Sequence, residues 1–77
     1  MWYLIDMDDG IIDMASTKKS LILRNTGGAY FSHIETSGVY SLWSTMDDPE
    51  GMEIGYMVRD KATALSNGFD WAFEAAK

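Results

Sequence analysis

Cysteine is absent from this sequence, and its 77 residues include only one proline and one histidine. Without cysteine the chain can form no disulfide framework, thiolate nucleophile or cysteine zinc site, and this composition fits a reducing compartment. We therefore expect a cytoplasmic protein. Because His33 is the only imidazole, any site that needs two histidine ligands is also excluded.

Long apolar runs and basic residues are also scarce. No stretch approaches the roughly 18 apolar residues of a membrane span, and the N-terminal residues lack the pattern of a signal peptide. Only 6 Lys and Arg stand against 12 Asp and Glu, which gives a net charge of −6. This charge opposes contact with phosphate backbones and anionic lipid. We expect neither membrane association nor direct binding of nucleic acid.

Apolar residues are plentiful enough for a packed core, since 47% of the chain is hydrophobic and 13% is aromatic. The length predicts a single domain over residues 1–77. Cores of this size leave a stability margin of only about 3–5 kcal/mol, which self-association can increase. A homodimer is therefore one expected state.

The first half of the chain has the pattern of a β-hairpin followed by a short segment of open assignment. Residues 2–7 and 11–15 are β-prone and flank Asp9-Gly10, which is typical of a tight primed turn. Residues 18–25 fit a helix capped by Ser16 or Thr17, and they fit a strand of alternating faces equally well.

The second half predicts another hairpin, a further strand and a helix. Residues 29–35 and 39–46 are β-prone on either side of Thr36-Ser37-Gly38, and 53–58 follows an acidic loop at 47–51 that contains the only proline. Asp60 is placed to cap a helix over 61–76.

These elements predict an α+β fold. We expect a small antiparallel β-sheet of four or five strands, formed by two hairpins plus a further strand, with the C-terminal helix packed across one face. An all-β meander closed by that helix is the alternative.

The C-terminal helix carries two apolar stripes. The stripe expected to face the core comprises Ala62, Leu65, Phe69, Ala72, Phe73 and Ala76. At roughly 100° per residue, a second stripe is formed by Ala64, Gly68, Trp71 and Ala75. Small residues beside an exposed tryptophan suit a docking face, whereas a helix buried on two sides would show the same pattern.

The N-terminal acids lie in a segment that resembles a known motif. Leu4-Ile5-Asp6-Met7-Asp8-Asp9-Gly10 resembles the phosphatase signature of the haloacid dehalogenase family, which implies a nucleophilic Asp6 and an acid-base Asp8 on a doubly wound fold. The extra Asp9 departs from the family's Asp-any-Asp-Gly pattern, and 77 residues are too few for that fold. Asp and Gly are favoured in turns for backbone reasons, so we expect these acids to line the hairpin turn.

No other pattern predicts catalysis. The acids fail the register of a calcium-binding EF-hand loop, because Gly10 falls one position early. A minimal metal-dependent hydrolase using Asp6, Asp8 and His33 is the least favoured hypothesis. We predict no catalytic residues, no resident metal and no cofactor.

The leading functional hypothesis is a non-catalytic protein-interaction module, an inhibitor or adaptor. Its predicted contacts are the Trp71 stripe and four acids that would engage a basic surface: Asp47, Asp48, Glu50 and Glu53. One version inhibits a nucleic-acid-processing protein by filling its basic channel, as small acidic viral inhibitors do. The alternative is a self-associating structural or assembly subunit.

Overall fold

The computed structural model describes residues 1–26, 30–34, 36–44 and 52–75 and confirms the α+β class. The strands are β1 (Trp2–Asp6), β2 (Gly10–Ala15), β3 (Tyr30–Ile34), β4 (Tyr40–Ser44) and β5 (Met52–Val58). The helices are α1 (Lys18–Thr26), α2 (Lys61–Ser66) and α3 (Asp70–Ala75), and a short 3-10 turn, Thr36–Gly38, joins β3 to β4.

The strands form one sheet in the order β2-β1-β5-β4-β3, and each neighbouring pair is antiparallel. Both predicted hairpins are confirmed, since β1 pairs with β2 and β3 pairs with β4. The last strand, β5, lies between β1 and β4 and joins the two hairpins. Hairpin signals in the sequence specify only neighbouring strands, so they did not predict this central position.

The turn of the first hairpin differs from the predicted primed turn. Three residues separate the paired Asp6 and Gly10, and within this turn only Gly10 has a positive φ, of 80°. Oδ1 of Asp6 accepts hydrogen bonds from the backbone N–H groups of Asp8 (2.8 Å) and Asp9 (3.0 Å). The Asp6 carboxylate thus stabilises a longer loop, in which Gly10 supplies the left-handed conformation.

One face of the sheet packs against α1. Leu4, Leu42 and Met57 from three strands form a buried cluster with Leu21 and Ile22 of α1. Residues 18–25, which fitted a helix and a strand equally well, therefore lie in a helix that buries Leu21 and Ile22 on the sheet and leaves Leu23 exposed. Of the two predicted caps, Ser16 and Thr17, it is Thr17 that caps the helix, because its Oγ1 accepts a hydrogen bond from the N–H of Ser20 at 3.1 Å.

The opposite face of the sheet carries a second buried cluster. Adjacent residues of a strand point to opposite faces of the sheet. Leu4 and Met57 point to the α1 face, so their neighbours Ile5 and Val58 point to the other face. Ala64 of α2 and Ala72 of α3 belong to this second cluster and are fully buried.

The prediction of one helix over 61–76 was wrong, because the chain stops being helical after Ser66 and restarts at Asp70. Gly68 has a φ of 83°, and its N–H donates to the carbonyl of Leu65 at 3.2 Å. The N–H of Phe69 donates to the carbonyl of Ala64 at 2.9 Å. This pair of bonds is a Schellman motif, in which a left-handed glycine ends a helix.

The break changes which side chains of this segment are buried. Ala62 and Leu65 were expected to face the core, yet both are exposed, Leu65 to 46%. Ala64, expected in the second stripe, is fully buried. Because the chain turns at Gly68, the inward faces of α2 and α3 are set independently, and one helical period cannot describe both.

Candidate partner-binding site

The two short C-terminal helices are held in place at three points. Asp60 caps α2, since Oδ1 accepts a hydrogen bond from the N–H of Thr63 at 2.7 Å. This bond to the charged carboxylate lowers the pKa of Asp60. The Schellman motif at Gly68 fixes the turn, and the ring of Phe73 packs edge-on against Tyr3 of β1, with ring centroids 5.1 Å apart. The surface between the helices is therefore preformed.

A groove of about 290 Å³ lies between α2 and α3. Leu65 and Phe73 supply its apolar lining, and its charged lining consists of Lys61, Asp70 and Glu74. Nζ of Lys61 lies 5.2 Å from the centre of the Phe73 ring, a cation–π contact that directs this lysine inside the groove. We call this surface the α2–α3 groove.

The α2–α3 groove has the make-up of a small protein-docking site. Leu65 leaves nearly half of its side chain in solvent, beside the partly buried ring of Phe73. Interfaces commonly combine such an apolar centre with a polar rim, and among the described residues that rim holds two carboxylates and one lysine. Asp70 and Glu74 would favour a partner whose apolar side chain has basic neighbours.

The structure separates the predicted second stripe. Gly68 is exposed at the turn, Ala75 ends α3, and Ala64 is buried in the protein's own core. Trp71 is partly buried, and its ring lies 6.3 Å from that of Phe69. A partner at this corner of the molecule would therefore touch Gly68 and Trp71 without reaching Ala64.

Of the four predicted acidic contacts, only Glu53 lies in the described part of the chain. Asp47, Asp48 and Glu50 lie outside it. Glu53 is exposed on β5, where its Oε1 accepts a hydrogen bond from the hydroxyl of Tyr56 at 3.0 Å. The Glu53 carboxylate thus remains accessible to solvent, and the bond to Tyr56 limits the orientations that it can adopt.

The two acids of the hydrolase hypothesis lie at the end of β1 and in the turn that follows it, whereas the histidine lies on another strand. Asp6 ends β1 and His33 lies on β3, and β5 and β4 stand between these strands. Three steps of about 4.8 Å separate the two backbones by roughly 14 Å, too far for an acid-base pair. Among the residues the structure describes, no three His, Asp or Glu side chains are grouped so that they could hold a metal ion.

A second, smaller cavity of about 120 Å³ is lined by Trp2, Gly38, Tyr40 and Arg59. The rings of Trp2 and Tyr40 meet edge-on with centroids 5.7 Å apart, and Nζ of Lys18 lies 4.4 Å from the centre of the Tyr40 ring. One face of the Tyr40 ring thus already has a cation–π contact with the protein's own lysine.

Comparisons with models of known protein families, with curated proteins and with solved structures find no match to this chain. None of the helices in the described part of the chain has the length and apolar character that a membrane span requires.

The sequence contained a signal for the α2–α3 groove that the helical period concealed. Asn67-Gly68 after an amphipathic run is a typical helix end, and a break there turns Leu65 out of the core. A single helix over 61–76 would place Leu65 and Phe73 together on its buried face. The predicted helix therefore had no groove between these two residues.

Proposed function

We propose that this chain is a non-catalytic protein-interaction module that docks another protein in the α2–α3 groove and acts as an inhibitor or adaptor. The observation that carries the proposal is Leu65, a large apolar side chain 46% exposed beside Phe73 in a preformed groove. Large exposed apolar side chains that line a groove mark interaction surfaces more often than scattered ones do.

The proposed partner presents an apolar side chain flanked by basic residues. Leu65 and Phe73 would bury that side chain, while Asp70 and Glu74 would attract its cationic neighbours. The net charge of −6 would speed encounter with such a surface. Asp47, Asp48, Glu50 and Glu53 remain proposed secondary contacts, which would suit the basic channel of a nucleic-acid-processing protein.

Leu65→Ser is the sharpest test of the groove. Full burial of a leucine is worth about 1.5–3 kcal/mol, and nearly half of this side chain is still exposed, so docking would gain roughly 1 kcal/mol from it. A buried serine hydroxyl without a partner adds a penalty of about 1–3 kcal/mol. We therefore expect at least about a tenfold loss of affinity. Losing the half of the side chain that is already buried should also lower the free energy of unfolding by about 1 kcal/mol, so the comparison needs a control variant with the same exposure.

Leu23→Ser is a matched control. Leu23 is also 46% exposed, but it lies on α1, which packs on the opposite face of the sheet. The wild-type chain and both variants would be used to capture proteins from extracts of the native host, with quantitative mass spectrometry. A protein retained by the wild type and by Leu23→Ser, and lost with Leu65→Ser, would support docking in the groove. Equal loss with both leucine variants would contradict it.

Sedimentation of the purified chain tests the alternative of self-association. A stable oligomer that dissociates in the Leu65→Ser variant would show that the groove binds a second copy, contrary to the proposal. Trp71→Ala is a poorer probe, because Trp71 packs against Phe69 and its loss would weaken the fold itself.

A further inference from the structure

The outer edge of β2 carries an unusual arrangement of side chains. β2 is a terminal strand of the sheet, so the backbone groups on its outer side have no strand neighbour in the described part of the chain. Such edges are templates for pairing with another chain, and proteins commonly block them with charged side chains.

Both outward backbone groups of Met14 are bonded by side chains. Its N–H donates to Oδ1 of Asp13 at 2.8 Å, and its carbonyl accepts a hydrogen bond from a guanidinium nitrogen of Arg24. In an antiparallel pair the N–H and C=O of one residue point to the same side of the strand. Because side chains of Asp13 and Arg24 bond both groups of Met14, we take that side to be the outer one, away from β1. An incoming strand would need these two groups.

The two blocking side chains are fixed to each other and to α1. Arg24 bonds both carboxylate oxygens of Asp13, at 2.6 Å and 3.0 Å, and lies in the last turn of α1. Nδ2 of Asn25 donates to Oδ2 of Asp13 at 2.9 Å and to the carbonyl of Leu21 at 2.8 Å. A bidentate pair supported in this way is more rigid than a single surface contact.

We propose that the Asp13–Arg24 pair closes the outer edge of β2 against a second copy of this chain, and that removing the pair lets β2 add to β2 of that copy. The inference is independent of the α2–α3 groove, which lies between other elements.

A second copy is the occupant that fits this edge. β2 shifts register against β1 between Asp13 and Ile11, so the regular part of its outer edge lies at Met14. In a twofold antiparallel pairing centred on Met14, the N–H and C=O of Met14 would bond the same groups of the other copy, and the two Met14 side chains, each 47% exposed, would lie opposite each other. Asp13 and Arg24 oppose this pairing because they hold the two backbone groups that it needs.

The test compares four proteins by sedimentation velocity over a range of concentrations. In Asp13→Ala/Arg24→Ala both groups of Met14 are freed, and we expect a species of twice the wild-type mass that grows with concentration. Arg59→Ala removes an exposed arginine that follows β5, a strand that β1 separates from β2, and this variant should keep the wild-type mass. Adding Met14→Pro to the double variant removes the outward N–H, which an edge strand tolerates, and should restore the wild-type mass.

Amide hydrogen exchange keeps the test decisive if the proline variant folds poorly. In the double variant, exchange at the Met14 amide should slow as concentration rises, while the amides of the central strand β5 stay as protected as in the wild type. A double variant that keeps the wild-type mass at every concentration would overturn the proposal. So would association that neither slows exchange at Met14 nor responds to Met14→Pro.

Discussion

Gly55→Ala is predicted to destabilise the centre of the sheet. Gly55 is buried on β5 and pairs with Leu42, and a Cβ at this position would lie 2.8 Å from the carbonyl oxygen of Ile5 and 3.2 Å from Cδ1 of Leu4. The shorter contact is with backbone, so no rotamer change can relieve it and the strands β1 and β5 must move apart. Gly55→Ala thus adds one methyl group to the central strand of the sheet.

The expected cost follows from that contact. Overpacking a close-packed site costs about 1–3 kcal/mol, a large part of the roughly 3–5 kcal/mol margin of a domain of this size. Each kcal/mol lowers Tm by about 4–8 °C for 60–100 residues. Urea unfolding followed by tryptophan fluorescence would measure the loss directly.

A double-mutant cycle with Leu4→Val locates the source of the strain. If the Ile5 carbonyl is the obstacle, shortening Leu4 gives no relief and the two changes in unfolding free energy add. An unfolding free energy for Gly55→Ala within about 0.5 kcal/mol of the wild type, or full rescue by Leu4→Val, would refute the reasoning.

Three further predictions concern the turn and the acidic groups. Gly68→Ala should cost about 1–2 kcal/mol through its φ of 83° alone, because apart from its two chain neighbours no residue that the structure describes comes within 4 Å of the added Cβ. Gly68→Asn should cost less, and urea unfolding of both variants checks this. Asp60→Ala should speed amide exchange at Thr63, since the cap is lost. The hydrogen bonds from Arg24 and then Asn25 lower the pKa of Asp13, as that from Thr63 lowers the pKa of Asp60. Both carboxylates therefore stabilise the fold fully above pH of about 4 and lose this effect as pH falls through their lowered values, so Asp13→Asn should flatten the acid limb of a Tm-against-pH curve.

The sequence predicted local structure better than it predicted the arrangement of elements. The hairpins followed from β-prone runs around Asp9-Gly10 and Thr36-Ser37-Gly38, because turn chemistry acts between neighbouring residues. The central position of β5 depends on packing between distant segments, as does the helical state of the segment after β2. A short stretch of sequence therefore encodes neither the position of β5 in the sheet nor the helical state of residues 18–26.

The position of the candidate site was also not predictable from local sequence patterns. Whether Leu65 lies in the core or in a groove depends on the single left-handed conformation of Gly68. A periodic pattern treats that glycine as one more helical residue, whereas the Schellman bonds at Ala64 and Leu65 end the helix there. The proposed docking site is therefore the α2–α3 groove, and Trp71, the centre of the predicted stripe, is not one of the described residues that line it.

The most direct test of docking in the α2–α3 groove is the dissociation constant of the captured partner. Isothermal titration calorimetry would measure it for the wild-type chain, for Leu65→Ser and for Leu23→Ser. Docking in the α2–α3 groove predicts that Leu65→Ser weakens binding at least about tenfold, while the equally exposed Leu23→Ser on the opposite face leaves it unchanged. An affinity that Leu65→Ser leaves at the wild-type value would contradict the account.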